Sequence, residues 1–424
     1  MNWIKWTVGL IAGAFVIYDL LPDLLAHRLG IGAWKRHYGA GVVLTFDDGP
    51  DPRYTPDFLD FLQERSIPAC FFVVAKDGLE HKNILLRMKE EGHQIGCHGW
   101  MHRHGWSRSP WKTWREWTRA VEALEKILDQ EILYVRAPWG AVNLALMVWC
   151  KAKGKHLIGW TAKGWDWKNK RRPEEIVSDL LKKADHGTIL LLHDGGGEAG
   201  APKNTLEALP LLAKGVLEEI KVPFVPLELS DWTWRKRIGF RLWEQWEAFY
   251  AKHNQVERIS FQNAFRIAQG VYEGPDLMGE DGNLVARRGD RAGMIHLENI
   301  HFQKFGTDPK RIALRSIRLV RNSMKELAVF SATDPRYKDV DVFVGLTLLS
   351  RGVKGVGFHV EEDSAPPSKV IGWIQQMVYR VYNPANLKHT GENESTPKVV
   401  WISRQELMDK YLPSSGDVHA QDLS

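Results

Sequence analysis

The chemistry of this chain is concentrated in a few ionisable residues whose spacing is not random. His98 and His102 stand four apart in His-Gly-Trp-Met-His. On one helical turn that spacing would present both imidazoles to the same side. Asp47 and Asp48 form an adjacent acidic pair, and one of them can add a carboxylate. Two imidazoles and one carboxylate leave a coordination position open, as catalytic rather than structural zinc sites do. An isolated H-x-x-x-H pair is a weak signal, so the case depends on its company. Hydrolysis by metal-activated water also needs a base, a charge stabiliser and an acid for the leaving group. With Asp48 as ligand, Asp47 is free to be the base. Arg136 would pair with Asp47 and keep it ionised. His193 would protonate a departing amine, with Asp166 fixing its tautomer. Taken singly, Arg136 reads as an ordinary salt bridge and His193 as a buried structural histidine. Together they make a metal site with its acid and base, and that combination outweighs the separate readings. His93 and His104 are taken as surface residues.

These side chains need a scaffold that brings them to one place. From residue 41 short apolar runs recur at 41–46, 69–75, 94–98, 133–138, 156–161, 188–194 and 223–227. Charged segments with helical spacing separate them, such as 55–65, 82–91, 111–128, 173–183 and 204–219. Seven strands alternating with helices predict a parallel α/β domain. No G-x-G-x-x-G follows the first strand, which argues against a dinucleotide-binding sheet. The expected architecture is a distorted (β/α) barrel of seven or eight units. Asp47, Asp48, His98, His102, Arg136, Asp166 and His193 all fall at or just past the C-terminal end of an expected strand, the rim on which such barrels assemble active sites.

The 424 residues are 44% hydrophobic and 26% charged, which is ordinary for a globular protein and excludes a disordered or polytopic membrane chain. A net charge of +5 is too small to indicate a nucleic-acid binder. Three cysteines are too few for a disulfide framework. Tryptophan is abundant, with 19 residues in all, and flat aromatic faces stack well on sugar rings. Trp100, Trp106 and Trp139 lie in expected rim loops where a glycan would pass. Trp111, Trp114 and Trp117 repeat at three-residue spacing and read as a helix packing face. The run Gly195–Gly197 lacks the following Lys-Ser/Thr of a phosphate loop and reads as flexible rim beside His193.

At this point residues 41–227 resemble the polysaccharide deacetylases of the NodB-homology type, carbohydrate esterase family 4. The matching motifs run in the family's order: TFDDGP (45–50), HGWMH (98–102), RAPWG (136–140), WDW (165–167) and LLHD (191–194). The stretch PACFFVVA (68–75) fits the family's second strand. The resemblance implies removal of an acetyl group from an N-acetylated sugar by one divalent metal ion, Zn²⁺ first, with Co²⁺ or Mn²⁺ as alternatives. It implies Asp48, His98 and His102 as metal ligands, Asp47 as base, His193 as acid, and Arg136 and Asp166 as their supports. Leu191 would line the pocket for the acetyl methyl and Trp139 would form a groove wall. Gly99 stands where the family usually has Ser or Thr, Met101 replaces a small polar residue, and Lys163 stands near a usual upstream acid.

The ends carry other expectations. Residues 6–18 (WTVGLIAGAFVIY) are uncharged, and 13 residues fall short of the ~20 that span a bilayer straight. The A-x-A triplet of this region, Ala12-Gly13-Ala14, lies inside the run, where cleavage would leave half of it behind. An uncleaved anchor over residues 1–37 is expected, with an amphipathic helix packed on the soluble domain as the alternative. Lys5 argues for an inside N-terminus while Arg28, Lys35 and Arg36 pull the other way. The barrel is expected over 38–231, a linking helix over 232–256, a smaller α+β domain over 257–412 and a flexible tail over 413–424. Strands are expected near 341–348 and 399–403. Arg311, Arg315, Arg318, Arg321 and Lys325 would form a basic helix face, with Ile312, Leu319 and Met324 on the buried side. Such a face suits an anionic envelope polymer or lipid headgroup, although a merely solvated face is the simpler reading. His296, Glu298 and His301 read as ordinary polar strand positions rather than a second metal site.

The sequence therefore predicts a bacterial-type, membrane-anchored, metal-dependent N-deacetylase with an extracytoplasmic catalytic domain. Its substrate would be an envelope glycan, either peptidoglycan or a chitin-like polymer of N-acetylglucosamine, and it would have no nucleic-acid partner. A glycan-binding protein without useful activity and an amidohydrolase of a small non-sugar amide are the rivals.

Overall fold

A computed structural model describes residues 2–230, 232–260, 262–298, 309–347, 354–361 and 398–412. The chain divides into two compact units, Met1–Gly239 and Phe240–Ser424.

The first unit is built on seven parallel strands: β1 (Val43–Asp47), β2 (Ala69–Val73), β3 (Gln94–Cys97), β4 (Tyr134–Val135), β5 (His156–Leu157), β6 (Ala162–Lys163) and β7 (Ile189–His193). They pair in the order β5-β4-β3-β2-β1-β7-β6. Every pairing is parallel, as crossovers by helix require. β1, β2 and β7 are buried at every position and read as continuous apolar runs, as strands covered on both faces should. The sheet curls into a distorted barrel. The segment after the N-terminal helix pairs Trp34 with Ile158, just past β5, and Arg36 with Thr188, just before β7.

The seventh expected strand differs. Pro223–Leu227 makes only an isolated bridge, Val42 with Phe224, because Pro223 and Pro226 flank it and have no N–H for a ladder. This segment plugs the N-terminal end of the barrel instead. The Gln94 side chain bonds both backbone groups of Leu227, and the Tyr134 hydroxyl donates to the Leu227 carbonyl. The seventh strand is β6, too short to register as an apolar run.

Helix Pro110–Leu128 buries Thr113, Trp117, Ala120, Val121, Leu124 and Leu128, so its packing stripe includes Trp117, which lies against Trp149. Trp111 does not belong to it and is 72% exposed. His93 also departs from expectation. It is buried with its ring edge-on to Phe71, and neither ring nitrogen has a hydrogen-bond partner. His104 is exposed, as expected. Cys70, Cys97 and Cys150 are free and buried, and burial pushes each thiol up to about 12.

The N-terminal helix is longer than its uncharged run. It continues from Asn2–Phe15 through π-helical turns at Val16–Leu20 and Leu25–Leu29 and ends at Gly30 in the left-handed conformation. Lys5–Leu29 is long and apolar enough to cross a membrane, by length and composition.

The second unit holds a six-stranded mixed sheet, in the order His359–Glu361, Lys398–Ser403, Val342–Thr347, Arg291–Leu297, Phe265–Val271, Glu257–Arg258. Helix Pro309–Thr333 buries Val320, Met324, Leu327 and Ala328 against it, with Leu319 partly covered. Arg315, Arg318, Arg321 and Lys325 are exposed on the outer face. The side chains of Arg311 and Ile312, all of His301 and the tail 413–424 lie outside the described residues. Glu298 is ion-paired with Arg258 at 2.8 Å, a structural role.

Burial holds the His93 imidazole below its ordinary value. The native state therefore binds fewer protons than the unfolded chain below about pH 6.5, and the stability present above that pH is lost as it falls. Urea unfolding of His93→Leu should show a flatter stability curve between about pH 6.5 and 5 than the parent protein does.

Candidate active site

The C-terminal ends of five strands converge on one cluster. Asp47 closes β1 and Asp48 follows it, His98 follows β3, Arg136 follows β4, Asp166 lies beyond β6 and His193 closes β7. This is the rim predicted from the sequence.

Asp48 adopts a positive φ of 71°, which turns its carboxylate away from β1 and toward the histidines. Its Oδ1 lies 3.2 Å from Nε2 of His98 and 3.1 Å from Nε2 of His102. The donor atoms of all three residues fall within 4.8 Å of one another. Oδ1 is buried and has no hydrogen bond of acceptable geometry. His98 donates from Nδ1 to the Arg136 carbonyl at 2.9 Å, so the lone pair of Nε2 points at the cluster. Burial opposes ionisation of Asp48, yet the approach of His102 and His98 holds the carboxylate well below its usual range. Two imidazole nitrogens and an orphaned carboxylate oxygen, converging with one side open, are the donor set of a divalent cation.

The two histidines do not share a helical turn. Residues 98–103 form an irregular loop, and Gly99 has a φ of 84°. The Gly99 and Trp100 carbonyls accept the N–H groups of Ala75 and Lys76 at the start of helix Ala75–Glu80. The loop is thus tied down where a helix leaves N–H groups unpaired. The departure at Gly99 suits this conformation, which strains residues that have a side chain.

On one side of the cluster, Arg136 is fully buried. It donates from Nη1 to Asp47 Oδ1 at 2.7 Å and to Thr45 Oγ1 at 2.8 Å. Its Nη2 and Nε donate to the carbonyls of Gly159 and Ile158, and its guanidinium lies 4.0 Å over the Phe72 ring. Asp47 Oδ2 stands 3.8 Å from His98 Nε2, so the carboxylate faces the cluster.

On the other side His193 donates from Nδ1 to Asp166 Oδ1 at 3.0 Å. The His193 backbone N–H and the Thr205 hydroxyl donate to Asp166 Oδ2. Burial opposes charging of His193, but Asp166 outweighs it and, with Asp48 and Asp47, raises the imidazole to about 9. His193 therefore carries a proton at neutral pH.

The tryptophans divide. Trp139, 68% exposed and at a φ of 61°, stands with its ring 5.1 Å from His102. Trp165 and Trp167 pair at 5.1 Å, and Trp167 meets the His193 ring edge-on. Aromatic surface thus flanks both ends of the cluster. Trp100 is placed otherwise, because the Arg119 guanidinium covers its ring at 3.6 Å. Trp106 packs against Phe15 of the N-terminal helix. Leu191 is buried on β7, two residues before His193 and hence on the same face of the sheet. Lys163 lies over the Trp165 ring at 3.7 Å.

Several supporting residues escaped the sequence analysis. Asp194 accepts a 2.6 Å hydrogen bond from Thr55, and burial raises it to about 7. It packs against Gly49, where a Cβ would lie 2.2 Å from its Oδ2, and so fixes the turn after Asp48. Its place beside His193 was the available signal; nothing in the sequence pointed to Thr205. The run Gly195–Gly197 is no free rim. Gly196 has a φ of 62°, and a Cβ there would meet Asp48 Oδ2 at 2.7 Å.

The fold and this cluster define a (β/α) barrel whose rim carries a group of side chains able to hold a metal ion. A polysaccharide deacetylase model matches residues 36–155, and a YkoP domain model matches residues 236–411. A peptidoglycan-N-acetylglucosamine deacetylase of Bacillus cereus is 32% identical over 185 residues, covering 42% of this chain and 81% of the relative. A chitooligosaccharide deacetylase of Bradyrhizobium sp. is 33% identical over 171 residues, covering 38% and 77%. Among solved structures, a peptidoglycan N-acetylglucosamine deacetylase in complex with 4-naphthalen-1-yl-N-oxidanyl-benzamide aligns with a TM-score of 0.45 and 24% identity, over 49% of this chain and 94% of its own. The chain belongs to the polysaccharide deacetylase family.

Gly196→Ala should displace the Asp48 carboxylate without replacing any of the three cluster residues. Calorimetric titration with Zn²⁺ is expected to show about 10–100-fold weaker binding, the size usual for a lost support of a metal ligand. Arg136→Met should leave Asp47 buried and unpaired, at a cost of about 3–5 kcal/mol in denaturant unfolding.

Proposed function

We propose that the protein hydrolyses N-acetyl groups from an envelope polysaccharide, peptidoglycan or a chitin-like polymer of N-acetylglucosamine. One observation carries this reading: the Asp48-His98-His102 cluster lies between a buried Asp47–Arg136 pair and a buried His193–Asp166 pair. Asp48, His98 and His102 would hold one divalent cation, for which we propose Zn²⁺. Such a cation supplies Lewis-acid polarisation of the amide carbonyl.

The remaining work falls to the chain's own groups. Asp47 takes the proton from the attacking water. Arg136 keeps that carboxylate aimed, since its other donors are fixed on the Thr45 hydroxyl and two backbone carbonyls. His193 delivers a proton to the departing nitrogen, and Asp166 fixes the tautomer and raises the basicity that makes the imidazole charged. Leu191 provides an apolar wall for the acetyl methyl. Trp139, with Trp167 across the cluster, offers flat surface for sugar rings, while Trp165 is covered by Lys163. Trp100 is committed to Arg119 and at most borders the groove. In this reading residues 1–37 attach the protein to a membrane and 38–231 carry the chemistry outside the cytoplasm. Residues 232–256 link it to an α+β domain at 257–412, whose basic helix face would meet an anionic envelope polymer.

Acetate release from N-acetylglucosamine oligomers and from peptidoglycan, with Zn²⁺ added, tests the reading. Asp47→Asn and His193→Ala are each expected to lose about 10²–10⁴-fold in kcat, and chelation should abolish turnover. Folded, metal-loaded protein that releases no acetate from either substrate would overturn the assignment. Because His193 acts in its protonated form and Asp166 raises its imidazole, activity should fall on the alkaline side. Asp166→Asn removes the main charge that raises it, so the falling limb should move to lower pH.

A further inference from the structure

The N-terminal helix does not hang from the barrel on a spacer. Its second half is bound to the same rim that carries the metal cluster. The Tyr18 hydroxyl donates to the Arg108 carbonyl, and Asp23 Oδ1 accepts the Val142 N–H at 3.0 Å. His27 Nε2 donates to the Gly140 carbonyl at 2.7 Å, and its ring lies 5.6 Å from Trp160. Gly140 sits between those two rings, where a Cβ would come 2.7 Å from Trp160 and 3.3 Å from His27. Gly140 and Val142 belong to the loop that begins with Trp139, and Trp139 faces His102. The helix and the groove wall are therefore two sides of one loop.

The outward side of this docked half is apolar. Ile17, Leu20, Leu21 and Leu24 are exposed, while Asp19, Asp23 and His27 face the domain. The stripe runs without a break into Trp3, Trp6, Leu10 and Ile11, all more than 60% exposed. It also spreads sideways, because Val16–Leu20 packs on helix Leu144–Lys153, whose Leu144 and Val148 are exposed. Exposed Trp111, with Lys112 and Arg115 beside it, opens the helix whose Thr113 reaches Tyr18. An apolar face rimmed by tryptophan and basic side chains has the composition of a surface seated at the boundary of hydrocarbon and anionic headgroups.

We infer that a lipid bilayer covers this face, so that the active-site groove opens at the membrane surface and takes glycan chains attached to lipid. The inference rests on the deacetylase reading for its substrate, but not for its geometry. A helix bound to the rim brings the rim to wherever the helix goes. Trp139 is then held within reach of the headgroup layer, and a glycan tethered there meets the groove at high local concentration.

The test uses the full chain in vesicles of phosphatidylcholine and phosphatidylglycerol. The three native thiols are buried, so a bimane label can be placed selectively on Val148→Cys, or on Lys214→Cys at the end of the helix leading away from the rim. Brominated lipids should quench the Val148 label severalfold more than the Lys214 label. Equal quenching overturns the seating. So does shielding of the Val148 label that rises with protein concentration and not with lipid, which would assign the face to a second copy. In the same vesicles, acetate release from a lipid-tethered N-acetylglucosamine oligomer should exceed that from the free oligomer by about tenfold or more, through effective concentration. Equal rates overturn the substrate assignment. Acetate from neither overturns the deacetylase reading, while the quenching result still decides the seating.

Discussion

The guanidinium of Arg136 lies wholly inside the barrel, and a charge in that position is tolerable only when its surroundings are complete. Here they are supplied by three parts of the chain. Asp47 and Thr45 come from β1, the Ile158 and Gly159 carbonyls from the turn after β5, and the Phe72 ring from β2. Thr45 passes the connection on by donating to the Leu190 carbonyl of β7. The Arg136 carbonyl in turn fixes the tautomer of His98. One buried cation therefore fixes the Asp47 carboxylate, the orientation of the His98 ring and the closure of strands that have no ladder between them. Loss of Asp47 would leave that charge unpaired in a low-dielectric interior.

That dependence explains why so much of the site was legible from residue types. Asp47, Asp48, His98, His102, Arg136, Asp166 and His193 sit where strands end, and strand ends are visible as the edges of apolar runs. What could not be read was the backbone between them. The His98–His102 spacing suggests a helical turn, yet the loop is irregular, because Gly99 permits a positive φ and helix Ala75–Glu80 supplies donors for its carbonyls. Apolar composition made Pro223–Leu227 look like a strand, but two prolines deny it a ladder. His93 looked polar and hence superficial, whereas it fills a site beside Phe71.

The tryptophans show the same limit from another direction. Their number suggests a flat ligand, but each ring's neighbour decides its use. Trp139 and Trp167 present surface near the cluster, while Trp165 is occupied by Lys163, Trp100 by Arg119, Trp106 by Phe15 and Trp117 by Trp149. Composition counts rings and cannot see which faces are already taken. The glycines at 195–197 carry a related lesson: a run that looks pliant is required for its smallness, since the backbone passes against the Asp48 carboxylate.

The three buried thiols bear on where such a protein can work. Oxidation of cysteine proceeds through an accessible thiolate, and none of the three is accessible or ionised. The rim residues Asp47, Asp48, His98, His102 and His193 include no sulfur either. The barrel thus relies on no disulfide for its stability, and its chemistry is indifferent to the redox poise of the compartment around it.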